Sequence, residues 1–440
     1  MKFYSLKTGC RLAHCLPSGG MKNKMKKLLP LFAAIPLVLI AAAALRETQP
    51  LTTNQEVELR EEICSNFFVP QPLPPVDMKN YRTFVPAPGV KAEAFSYVTQ
   101  EGMRVPAVLY LPNPLPAAKI PAFVVVNGHA GDKYSWYSYY TGILFARGGA
   151  AVLTYDQIGE GERNINRKSA TREHDTIGGG SVMARHLAGL MICDAMQAVS
   201  CLCQRPEVDA NRIAVGGYSM GSFVVSLTGT VDTRIHACVL CGGGDLDGPG
   251  GYWDKSKPMC QGLPYQSLDF LGDRPAVIYA LHAARGPTLV FNGLGDTVVA
   301  IPSHTQDFFK DMQARTTELH GSTNGVFDYG FAGVDCGHRP YWLTRPVVEW
   351  LQKQIDFPNW TEDKIKAMPQ IKISDWTATH QAIFVKSFMK PLTEGGTSAL
   401  DVNVPGYTHD ELNMMTTEQW DHEKTNYILE TWLARVQNPE

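Results

Sequence analysis

The chain is 440 residues long, with 44% hydrophobic and 19% charged residues, 39 Gly and 29 Pro. This ordinary globular usage excludes disordered, collagen-like and disulfide-knot classes, and at about 150 residues per domain the length allows about three domains. Residues 1–44 hold seven Lys/Arg and no Asp/Glu, which leaves 33 basic against 43 acidic residues downstream, a net charge of −10 without an electrostatic footprint for nucleic acid.

Lys22, Lys24, Lys26 and Lys27 precede the uncharged run LLPLFAAIPLVLIAAAAL, from Leu28 to Leu45. A basic start, an apolar centre and small residues at Ala42, Ala43 and Ala44 make an export signal, with Met21 a plausible start of translation. Pro30 and Pro36 oppose a continuous spanning helix. The expectation is a periplasmic or secreted protein with no membrane association after signal removal. No other stretch reads as long and apolar enough to span. Eight cysteines follow the leader. Cys238-Val-Leu-Cys241 resembles a metal or redox CxxC, but its surroundings, HACVLCGGG, read as a buried strand, on which residues three apart point to opposite faces. Cys201 and Cys203, on a helix pattern, also diverge, so all four read as small core residues.

The Pro-rich stretch 68–90 reads as extended chain wrapping a surface. Residues 91–112 form two alternating runs split at Gln100-Glu101-Gly102, a hairpin signal. Strand patterns follow at Ala122–Asn127, Ala150–Tyr155, Arg212–Gly217, His236–Cys241, Thr288–Asn292 and Val326–Phe331. Helix patterns lie between them near 136–147, 181–203, 221–230, 302–314 and 341–354. Such alternation predicts right-handed crossovers and a mostly parallel, doubly wound α/β sheet with the hairpin at one edge. The expected organisation is a leader over 1–44, an extended segment over 45–90, one α/β domain over 91–356 and an extension over 357–440 packed onto it. The extension carries Trp360, Trp376, Trp420 and Trp432, no clear strands, and a helix-like end near 416–435.

Gly217-Tyr218-Ser219-Met220-Gly221 fits GxSxG, weak as a bare pattern but set between a strand and a small-residue helix pattern. That context is a nucleophile elbow, in which a sharp turn presents the serine hydroxyl and its glycines relieve crowding between strand and helix. A serine hydroxyl needs a base, and the base an orienting acid. Asp296 follows the strand PTLVFNG, at the end where open α/β sheets place their sites. Asp269, Asp273, Asp245 and Asp247 are lesser candidates. Of the six histidines after Asp296, only His338, in Cys336-Gly337-His338-Arg339-Pro340, falls in a loop after a strand. An oxyanion needs preset backbone N–H donors. Met220 supplies one; His129 or Ala130, in the loop Asn127-Gly128-His129-Ala130-Gly131, supplies the other. Trp136 and Tyr137, in the aromatic run 134–140, are candidate sugar-stacking residues or helix packing. Glu160, Glu162 and Arg163 read as surface ion pairs. No HExxH, GxxxxGK[ST] or strand-linked GxGxxG appears, so neither metal nor cofactor is expected.

These motifs, with Thr154-Tyr155-Asp156-Gln157-Ile158-Gly159-Glu160-Gly161-Glu162-Arg163 after the second strand pattern, resemble the α/β-hydrolases. The similar branch is that of the acetyl xylan esterases, dienelactone hydrolases and prolyl-oligopeptidase catalytic domains, and the match spans residues 91–354. The sequence departs from the family pattern at Ser222, where many relatives carry Gly, and in reading NGHAG rather than HGG. The resemblance implies an α/β-hydrolase fold with Ser219, Asp296 and His338 as the triad. It implies cleavage of small acyl, above all acetyl, esters of carbohydrates, so the expected partner is a small-molecule or oligosaccharide ester. A small-peptide hydrolase with the same triad is the enzymatic rival, although the chain before residue 91 is too short for a propeller. A catalytically silent binding protein, using the 134–140 aromatics and the Trp-rich extension, is the other.

Overall fold

The computed structural model describes residues 49–322, 326–380 and 397–438, so the leader lies outside the described residues. The strands are β1 Lys79–Ala87, β2 Val90–Val98, β3 Arg104–Pro112, β4 Ile120–Val126, β5 Ala151–Tyr155, β6 Val208–Tyr218, β7 Ala237–Cys241, β8 Thr288–Gly293 and β9 Phe327–Ala332. They form one sheet in the order β1-β2-β3-β5-β4-β6-β7-β8-β9. From β5 to β9 neighbours pair in parallel, whereas β1, β2, β3 and the β3–β5 pair are antiparallel. The helices before residue 357 are α1 Thr53–Asn66, α2 Trp136–Gly148, α3 Gly180–Cys203, α4 Met220–Val231, α5 Leu263–Gln266, α6 Arg274–Ala283, α7 Gln306–His320 and α8 Arg345–Ile355. This is the mostly parallel α/β architecture the alternation predicts.

The central strands are apolar on both faces because helices cover both. In β4, Ala122, Val124 and Val126 enter one core with α1, α3, α4, α6 and α7, while Phe123 and Val125 enter the other with α2 and α8. The same alternation separates Cys238 from Cys241 on β7, as the strand reading expects. The eight described cysteines are free thiols.

Three readings of the sequence need correction. The segment 45–90 is not extended throughout. Thr52 accepts the Gln55 N–H at 3.3 Å while the Gln55 side chain takes the Thr52 N–H at 2.9 Å, a capping box that starts α1. Its end, β1, is an edge strand of the sheet, where Pro86 costs no ladder bond. Third, α3 is a 24-residue helix apolar enough to span a membrane, yet it is largely buried in the first core against α4 and the sheet.

Residues 357–380 and 397–438 pack against α2. Trp360 meets Phe145 edge-on, Trp376 meets Tyr140 edge-on, Tyr407 stacks on Tyr139 and His409 stacks on Tyr134. A short β-ladder, Gln370–Lys372 with Ser398–Leu400, also forms there, where no strand is expected. The terminal helical stretch is two helices, Thr417–Glu423 and Leu429–Gln437.

Candidate active site

Strand β6 runs into Ser219, whose φ of 56° and ψ of −120° place it in a region L-residues seldom adopt, and α4 begins at the next residue. Non-glycine residues hold such angles only when the surroundings enforce them. Here the Ser219 N–H donates to the Cys241 carbonyl at 2.8 Å, and the Ser222 hydroxyl donates to the Ser219 carbonyl at 2.7 Å. A Cβ on Gly217 would overlap the backbone of Gly221, and one on Gly221 would overlap the carbonyls of Val126 and Asn127. Both glycines of the pentapeptide are therefore set by strand–helix crowding.

The Ser219 Oγ lies 2.8 Å from His338 Nε2, and His338 Nδ1 lies 2.7 Å from Asp296 Oδ2. With Nδ1–H donated to the carboxylate, Nε2 is left to accept the serine proton. Asp296 is fully buried, and its second oxygen accepts the Val298 N–H at 3.0 Å, which fixes the carboxylate plane. The loop carrying His338 is held from below: the Tyr218 hydroxyl donates to the His338 carbonyl at 3.0 Å, and the Tyr341 hydroxyl to that of Gly337 at 2.6 Å. Residue 242 is glycine for the same reason, since a Cβ there would stand 2.9 Å from the imidazole Cε1.

The loop Asn127–Gly131 closes over the serine. A Cβ on Gly128 would come within 3.0 Å of the Ser219 Cβ and 2.9 Å of the Tyr218 carbonyl, so this backbone packs against the elbow. Ser138 donates to the Asn127 side chain at 2.7 Å, and Asn127 donates to the Tyr155 carbonyl at 2.9 Å. Ala130 has a positive φ of 63°, and the Gly131 N–H returns to the Gly128 carbonyl at 2.9 Å. Met220 is buried at the start of α4, and the side chain of His129 lines the same cavity as Ser219. The His129 Nε2 lies 2.9 Å from the Cys260 Sγ, and burial lowers its pKa.

Trp136 and Tyr137 do not line the cavity. Both are buried at the start of α2, and the Tyr137 hydroxyl accepts the Gly128 N–H at 3.3 Å, bracing the loop from behind. The rings of the run are buried, Tyr137 against Tyr218 of β6 and Tyr134, Tyr139 and Tyr140 against the extension, so the run packs the core. The four tryptophans of the extension are buried as well and present no contact surface. Glu160, Glu162 and Arg163 are ion-paired or hydrogen-bonded, but in the interior rather than on the surface. Glu162 is 2.8 Å from Lys133 and 2.8 Å from Arg167, and it accepts the Met414 N–H at 2.8 Å. Burial opposes its ionisation, yet the two cations hold its carboxyl below the usual range. Arg163 pairs with Asp194. Glu160 accepts two backbone N–H groups, at 2.9 and 2.7 Å, and burial pushes its pKa up to about 8.

The remaining carboxylate candidates are engaged elsewhere. Asp245 faces His304 at 3.1 Å, Asp247 accepts the Trp253 N–H at 3.3 Å, Asp269 faces Arg274 at 3.2 Å, and Asp273 caps α6. The far wall of the cavity comes from Tyr252, Lys255, Ser256, Lys257, Pro258 and Gln261, opposite Ser219 and His338. No motif announces these residues. The signal was length, because 46 residues separate β7 from β8, far more than a simple crossover needs.

A sequence model of the Alpha/beta hydrolase family matches residues 123–411, more than half of the chain, and the chain belongs to that family. No curated protein is similar enough in sequence to match. Similar solved structures include a glucuronoyl esterase from Solibacter usitatus, with 14% identity and a TM-score of 0.50 over 72% of this chain and 96% of that one. An acetyl xylan esterase from Paenibacillus sp. R4 shares 16% identity at a TM-score of 0.46, over 70% of this chain and 97% of its own. The methylesterase BT1017 shares 18% identity at a TM-score of 0.48, over 84% and 75%. The first of these shares its fold with this chain.

Proposed function

We propose that the protein is an exported serine hydrolase that cleaves carboxylic esters through an acyl-enzyme, with small acyl, above all acetyl, esters of carbohydrates as substrates. The observation that carries this reading is the pair of contacts at 2.8 and 2.7 Å that chain Ser219 to His338 and His338 to Asp296. Ser219 Oγ attacks the ester carbonyl as His338 Nε2 takes its proton. Asp296 holds the imidazole in the right tautomer and stabilises the imidazolium. The oxyanion is met by the Met220 N–H and by one from His129 or Ala130, in a turn already braced before substrate arrives. His338 then returns its proton to the leaving alcohol, and water resolves the acyl-enzyme by the same steps. Export is supported by the basic and apolar composition of residues 1–44. Arg172, Lys255 and Lys257 line the cavity, which suits an ester whose alcohol part carries negative charge.

The test is labelling by a fluorophosphonate, followed by hydrolysis of an ester panel of increasing acyl length that includes acetylated xylo-oligosaccharides. Wild type labels and Ser219→Ala does not, with kcat falling by about 10⁴–10⁶-fold. Folded wild type that fails to label would sink the reading in favour of a binding protein. Faster cleavage of aminoacyl-nitroanilides than of esters would replace it with a peptidase.

A further inference from the structure

Behind the cavity wall, four side chains from three separate segments converge: His129 from the loop after β4, His174 and Asp175 from the turn Glu173–Thr176, and Cys260 from the turn Pro258–Gly262. One donor atom from each lies within 4.8 Å of all the others. His129 Nε2 is 2.9 Å from the Cys260 Sγ and 3.4 Å from Asp175 Oδ1, which is 3.5 Å from His174 Nε2 and 3.6 Å from the same sulfur. Bond lengths of about 2.0–2.3 Å to a tetrahedral zinc place neighbouring donors about 3.3–3.6 Å apart, and three of the donor pairs, at 3.4, 3.5 and 3.6 Å, match that spacing.

A second observation points the same way. His174 is fully buried, and neither of its ring nitrogens completes a hydrogen bond of good geometry, although the Ile158 carbonyl and the Asp175 carboxylate lie beside it. A buried imidazole left in that condition is costly unless something else takes its lone pair. The His129 and His174 rings lie nearly parallel, 16° apart, with their centroids 5.5 Å apart.

The geometry points to a divalent zinc site formed by His129, His174, Asp175 and Cys260. Two imidazoles, a thiolate and a carboxylate suit a borderline-soft cation, and the two anionic ligands neutralise Zn²⁺, which a buried site favours. Four protein ligands close the coordination sphere, the mark of a structural site. The ion ties the loop that covers Ser219 to two segments of the cavity wall and releases the Cys260 thiol proton on binding. It escapes a motif search because only His174 and Asp175 are neighbours in sequence.

Elemental analysis of the full chain, stripped with a chelator, reconstituted with zinc and desalted, should find about one zinc per chain. Cobalt(II) in its place should show the thiolate-to-cobalt charge-transfer absorption of a tetrahedral site. Cys260→Ser should lose that absorption and His174→Ala should lose bound zinc, while Ser219→Ala keeps both, so the result is independent of the esterase reading. Should the ligand variants fail to fold, the cobalt spectrum of wild type decides by itself. Wild type that retains no zinc, or binds cobalt without the thiolate band, overturns the site.

Discussion

The rim of the sheet that carries Ser219 and the face that carries residues 357–380 and 397–438 are built in opposite ways. At the rim, a few atoms are held by short turns directly off strand ends, with close approaches of about 3 Å and little area. On the other face, Trp360, Trp376, Tyr407 and Trp420 bury large rings against α2 and its surroundings, and no single contact dominates. Geometry fails when one atom moves, whereas burial fails by degrees. Substitutions at the rim should therefore abolish chemistry and leave stability intact, and substitutions in the extension should do the reverse.

The sharpest way to break this contrast is Asp296→Asn. It preserves shape but reverses the hydrogen bond to His338 Nδ1, and should lower kcat by about 10⁴-fold while the Tm stays near that of wild type. Comparable losses of kcat and Tm would mean that the rim also carries the fold. Next in size is Trp376→Ala. This residue is 1% exposed, meets Tyr140 at 5.3 Å between ring centres, and donates from Nε1 to the Val404 carbonyl at 2.8 Å. Its truncation should cost about 3–5 kcal/mol in denaturant unfolding, with kcat of the folded fraction unchanged. A kcat loss without a stability loss would show the extension reaching into catalysis.

The smallest effect sharpens the comparison through pH. Burial, with the nearby Lys133 charge, pushes the His409 imidazole down to about 4. The unfolded chain binds this proton near the ordinary value of about 6.5, so the unfolded state gains it first as pH falls. The stabilisation from neutral His409 is complete above about pH 6.5 and is lost as pH drops toward about 4. Replacing it in His409→Phe, which keeps the stack on Tyr134, should flatten part of the decline in Tm over that window. An unchanged slope would assign acid sensitivity to other groups.

Much of the rim was legible because its constraints are local. Gly217 and Gly221 are fixed by crowding within one turn, and Asp296 and His338 each follow a strand recognisable from its own apolar run. The interior charges were misread for the converse reason. Glu162 looks like any acidic residue in a polar loop, and nothing nearby in sequence shows that Lys133, Arg167 and the Met414 N–H will surround it. The aromatics of α2 were ambiguous because a ring suits a sugar and a core equally. What covers them lies some 220–270 residues further along.

The sequence alone determined the order of strands and helices, the sharp turn at Ser219 and the three residues that meet there, because alternation and turn chemistry act over a few neighbouring positions. Only the tertiary structure decided which charges are buried, which rings are core and which segments wall the cavity. It also brought His129, His174, Asp175 and Cys260 together. Those outcomes depend on chain distant in sequence arriving at one place, and local pattern carries no record of that.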